Sequence, residues 1–136
     1  MKPAVLLFYA LGGLIFLQLL SGGLRVFGFI DESTHISLGF ITLFLAIITL
    51  VAAALTKPRY RPAISMAVIL VVLIVIQGLI GFSFLDDNGN VVANSSGIIF
   101  VHFANALIIY GLAISSVFMA MRWSKMTAPP TPSKQA

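Results

Sequence analysis

Two histidines, one glutamate and one arginine stand out in a chain with few groups able to do chemistry. His35 and His102 are the only histidines, Glu32 is the only glutamate, and there is no cysteine. Disulfides, thiolate metal sites and iron–sulfur clusters are thereby excluded, which leaves the imidazoles as the obvious metal ligands. Zinc is disfavoured, because a zinc site normally takes three or four protein ligands and only Glu32 lies near either histidine in sequence. A heme iron takes two axial ligands, and two imidazoles presented by different helices meet that requirement. The competing reading is of two interfacial histidines hydrogen-bonded to loop backbone.

The elements that must position these groups follow from composition. Of 136 residues, 60% are hydrophobic and 9% charged, against about 25% charged in an ordinary soluble domain. Mean hydropathy is +1.08. A soluble domain of this size cannot hide so much apolar surface, whereas four bilayer crossings of about 20 residues each, with short connections, use nearly the whole chain. The net charge of +4 comes from basic residues at the ends of apolar runs, not from a stripe or groove, so nucleic acid is not the expected partner. The expected fold is an all-α integral membrane protein, a four-transmembrane-helix bundle made of two helical hairpins, with the lipid bilayer as its solvent.

The first span runs from Pro3 to Leu24, closing around Ser21, Gly22 and Gly23. It starts behind Lys2 with no small-residue cleavage site and reads as a retained helix. The second covers Thr34 to Leu55 and stops at Thr56-Lys57-Pro58-Arg59-Tyr60-Arg61-Pro62, where prolines and cations oppose both helix and lipid. The third covers Ala63 to Leu85. A turn-forming cluster, Asp86-Asp87-Asn88-Gly89-Asn90, follows, and the fourth span covers Ile98 to Met121. Trp123, beyond its end, is expected among the headgroups. Residues 1–126 thus form the transmembrane domain, and 127–136, with three prolines, is expected to be a disordered cytoplasmic tail.

Lys2, Lys57, Arg59, Arg61, Arg122, Lys125 and Lys134 fall on one side of this topology and Arg25 alone on the other. The positive-inside bias makes the chain a multi-pass cell-membrane protein with both termini cytoplasmic. Asp31, Glu32, Asp86 and Asp87 then lie in the two outer loops, as does the formal glycosylation sequon Asn94-Ser95-Ser96.

With the spans placed, His35 opens the second helix and His102 stands about one turn into the fourth, at comparable depth in the outer leaflet. A porphyrin wedged between them would turn its propionates to the outer surface. Gly39, Ala104, Ala106 and Gly111 leave room either for such a planar ligand or for close helix packing. Glu32, three residues before His35, shares its helix face and can orient the imidazole, act at a heme edge or cap the helix. Arg25 runs against the charge trend and calls for a carboxylate partner, a heme propionate or the nearby Asp31 and Glu32. A weak internal repeat pairs Gln18 and Gly22 on the first span with Gln77 and Gly81 on the third. Each pair is followed by an acidic loop and a histidine.

At these residues the sequence resembles the heme A synthase family. The matching segments are Gly22-Gly23-Leu24-Arg25-Val26-Phe27-Gly28, Glu32-Ser33-Thr34-His35, Gln77-Gly78-Leu79-Ile80-Gly81 and Val101-His102-Phe103-Ala104-Asn105-Ala106, over roughly residues 10 to 120. Typical members have eight helices in two four-helix halves, each with a histidine pair, and this chain resembles one half, as in compact archaeal versions. The resemblance implies oxidation of the C8 methyl of heme O to the formyl of heme A, with a b-type heme as electron carrier. It makes Glu32 the catalytic carboxylate and His35 and His102 the residues flanking the iron, while Arg25 is the cofactor-binding candidate on its own charge and position. It also implies a homo-oligomer, since one histidine pair per chain divides the two heme roles between subunits, and a respiratory oxidase or heme O synthase as partners. The cysteine pair that many members carry in the first outer loop is absent. The alternatives are a b-type cytochrome subunit that only transfers electrons and a heme-free structural subunit.

Overall fold

A computed structural model describes residues 3–83, 85 and 96–126. They form α1 (Pro3–Val26), α2 (Glu32–Leu55), α3 (Arg61–Ser83) and α4 (Ser96–Met126), all long and apolar enough to cross a membrane. The expected tail, the Asp86–Asn90 cluster and Asn94 of the sequon lie outside the described residues.

Helices suit this chain because lipid offers no partner for backbone N–H and C=O groups, and an α-helix satisfies them within itself. Polar side chains on the spans follow the same logic. Thr42 and Thr49 return their hydroxyls to the carbonyls of Leu38 and Leu45, both at 2.8 Å, so neither needs a neighbouring helix.

α1, α2 and α4 run further than the hydropathy pattern suggests, and α3 lies two residues earlier than expected, at Arg61–Ser83. α1 continues through Gly22 and Gly23 to Val26, and α2 starts at Glu32. A glycine costs a helix only about 1 kcal/mol, and here Gly22 serves as a packing position and not as a stop. The stop is Gly28, whose φ of +74° is the left-handed conformation that ends many helices. Its N–H bonds to Arg25 O and that of Phe29 to Leu24 O, both at 2.9 Å, the paired bonds of a Schellman motif. Asp31 then caps α2, accepting from the Thr34 backbone N–H at 2.8 Å.

Each helix packs on two others: α1 on α2 and α4, and α3 on α2 and α4. The bundle is therefore a four-cornered ring in which α2 faces α4 across a diagonal. Its interior is layered. At one end Ala53, Ala63, Ala67 and Ala120 surround Phe8 and Trp123. Leu11, Ile15, Leu70 and Ile109 fill the middle. Small residues let backbones approach closely, which is what drives helix association where lipid is as apolar as the core. Large apolar side chains such as Phe40, Phe44, Phe103 and Phe118 point outward, as a lipid-facing surface requires. Trp123, at the end of α4, faces inward. It is 1% exposed and stacks on Tyr60, with centroids 5.7 Å apart, because an inward pocket of alanines leaves room for an indole.

Candidate functional site

Beyond the leucine layer the interior turns polar, at the end where α1 and α3 finish and α2 and α4 begin. His35 and His102 meet there across the diagonal, with ring centroids 6.5 Å apart and planes at 67°. Matched depth in sequence has become spatial proximity.

Each imidazole rests on a glycine of the preceding helix. A Cβ at Gly22 would lie 3.2 Å from His35 Cε1, and one at Gly81 would lie 3.1 Å from His102 Cε1. Each is also braced by a glutamine one turn deeper. Gln18 Nε2 donates to the carbonyl of His35 at 3.1 Å, and Gln77 Nε2 donates to that of His102 at 3.0 Å. The weak repeat read from sequence is thus a repeated local device, in which a Gln-x-x-x-Gly helix face receives a histidine from the next helix.

The two copies of the device differ in their remaining partners. Asn105 Nδ2 donates to Gln77 Oε1 at 2.8 Å, whereas Leu38 stands three residues after His35 and Gln18 Oε1 is buried with no partner among the described residues. Conversely, Ser21 Oγ lies 2.8 Å from His35 Nδ1, and the corresponding position on α3 is Ile80. Gln18 Nε2 also approaches His35 Nε2 at 3.4 Å.

Arg25 and Glu32 close the site from the α1–α2 turn. Arg25 donates to Glu32 Oε2 at 2.8 Å, and both side chains are about a quarter exposed, 23% each. Of the partners expected for Arg25, the local carboxylate is the one it holds. Asp31 is the cap, so Glu32 is not; its Oε1 is buried with no partner among the described residues. Hydrogen bonding from Thr34, side chain first and backbone second, together with Ser33, holds the exposed Asp31 carboxyl below its ordinary value of 3.8.

Gly39 turns out to make room for protein. A Cβ there would meet Gln18 Nε2 at 3.2 Å. Gly111 has open space beside it. Two residues of the site, Ser21 and Asn105, are given no site role in the sequence reading. Their spacing carries a signal all the same: Ser21 is three residues from Gln18, and Asn105 three from His102, so each pair shares a helix face.

No group of three or more His, Cys, Asp or Glu gathers among the described residues. The two imidazoles that face each other across the bundle are donors that a heme iron would accept, since a porphyrin supplies the remaining ligands itself.

Fold and site together define a compact multi-pass membrane protein whose reactive side chains are gathered at one end of a four-helix bundle. Residues 23–136 match the family model of the cytochrome oxidase assembly proteins, COX15-CtaA. The chain belongs to this family, whose role lies in cytochrome oxidase assembly and heme A synthesis. Comparison with curated proteins and with solved structures returned no significant match.

Proposed function

We propose that the protein is a heme A synthase that oxidises the C8 methyl of heme O to a formyl group, with His35 and His102 as the residues that would hold the heme iron. The observation that carries this reading is the facing imidazole pair at 6.5 Å, in a chain of the family concerned with this chemistry. Converting a methyl to a formyl consumes a water and releases four electrons with four protons. A proton acceptor is therefore needed beside the reacting carbon, and an outlet for electrons. Glu32 takes the first role, because it is the one glutamate and stands at the mouth of the histidine site. Arg25 holds that carboxylate in place, and its guanidinium has further donors with which to bind a heme propionate. A b-type heme, when bound, would relay these electrons one at a time to an external oxidant. With one histidine pair in this sequence, that heme would be held by a second copy in a homo-oligomer, with heme O synthase upstream and a respiratory oxidase downstream as the proposed partners.

The test is to express the protein with a source of heme O and to extract and identify the bound heme. Wild type is expected to yield heme A with a low-spin spectrum. His35→Ala and His102→Ala are expected to lose most of their heme. Glu32→Gln should retain heme but stop its conversion, since the amide keeps the shape and lacks the charge. Heme B as the sole pigment in wild type would favour the electron-transfer cytochrome. An unchanged spectrum in both histidine variants would remove the heme site altogether.

A further inference from the structure

We infer that Ser21 and Gln18 together hold His35 as the tautomer with its proton on Nδ1, so that Nε2 keeps its lone pair for a metal. This inference rests on the proposed ligand role of His35 and adds two positioning residues to it. The chain of hydrogen bonds starts at a group with no choice. The backbone carbonyl of Gln18 can only accept, and Ser21 Oγ donates to it at 2.8 Å, a bond that uses the one hydroxyl proton of Ser21. Ser21 Oγ is also 2.8 Å from His35 Nδ1. With its proton spent, the oxygen must accept in that contact, and Nδ1 must be the donor.

The other ring nitrogen leads independently to the same assignment. The carbonyl of His35 is likewise only an acceptor, so the Gln18 atom 3.1 Å from it is the amide nitrogen. That nitrogen carries a second hydrogen, and His35 Nε2 lies 3.4 Å away. A donor facing Nε2 requires a lone pair there. The contact is long for a hydrogen bond, so an incoming metal displaces little to reach Nε2, while the short Nδ1–H to Ser21 contact stays intact and keeps the ring orientation. Metal-bound histidines commonly donate their distal N–H in this way, and the partner raises ligand basicity. The α3–α4 side has Ile80 in place of the serine, so the serine partner is particular to His35.

The test separates the tautomer from heme binding. Heme-free protein with 15N-labelled histidine, in detergent at a pH where the rings are neutral, reports which nitrogen carries the proton, and His102→Ala identifies the His35 signals. Wild type is expected to show His35 protonated at Nδ1, Ser21→Ala to move His35 towards the other tautomer, and Ser21→Thr to restore it. On titration with heme B, Ser21→Ala should bind about tenfold or more weakly, with a shifted reduction potential, and Ser21→Thr should recover both. A wild-type His35 protonated at Nε2, or a tautomer unmoved by Ser21→Ala, would overturn the inference. Wild-type protein with the Nδ1 proton in place but no affinity for heme would instead overturn the ligand role, leaving the hydrogen-bond assignment standing.

Discussion

At the level of single residues, two glycines matter as much as the histidines they support. The space that seats each imidazole on its α1 or α3 neighbour exists because Gly22 and Gly81 lack a Cβ, at 3.2 and 3.1 Å from the respective Cε1 atoms. Alanine at either position should help the helix by about 1 kcal/mol yet push the ring aside by a few tenths of an ångström. Gly22→Ala and Gly81→Ala are therefore expected to leave the bundle folded while heme loading falls several-fold, read as the heme-to-protein ratio beside the circular dichroism spectrum. Asp31 offers a second residue-level test. Its folded pKa lies below the ordinary 3.8, so the cap contributes stability above that value and loses it as pH falls through the lowered one. Asparagine also caps well but does not titrate. Melting curves of Asp31→Asn should lack that acid-side loss, and the difference from wild type should vanish near neutral pH.

Between helices, the two histidine carriers are equivalent in plan and unequal in support. Gln77 is held at both ends of its amide, by His102 O and by Asn105 Nδ2, while Gln18 leaves Oε1 buried without a partner among the described residues. Replacing Asn105 by leucine would make α4 like α2, where Leu38 occupies the matching place. Interhelical hydrogen bonds in membranes average about 0.6 kcal/mol and reach about 1.7. Asn105→Leu should destabilise the bundle by that order in reversible unfolding from mixed micelles, and Leu38→Asn should offset part of the loss at Gln18. A cost well above this range would mean that Asn105 supports more than the Gln77 amide.

Across the whole molecule, most of the positive charge and the chemistry occupy opposite ends. Among the described residues, Lys57, Arg59, Arg61, Arg122 and Lys125 lie at the end away from the histidines, and Arg25 alone lies with them, already paired to Glu32. The positive-inside bias then predicts that the histidine end faces outward. A cysteine at Phe29 should react with an impermeant thiol reagent in intact cells and one at Arg59 should not; the reverse pattern would invert the topology. Composition alone settles that this chain lives in lipid, and hydropathy with Pro and Gly punctuation counts its four spans, because both are sums along the chain. The short list of reactive residues is also legible, since an apolar sequence makes its His, Glu and Arg conspicuous. The rotation of each helix about its axis is not legible. A span surrounded by lipid is apolar on every face, so no periodicity marks its inward side. Only the packing of Ala and Gly contacts around the ring turns His35 towards His102, gives Arg25 to Glu32, and brings Ser21 and Gln18 to the two nitrogens of one imidazole.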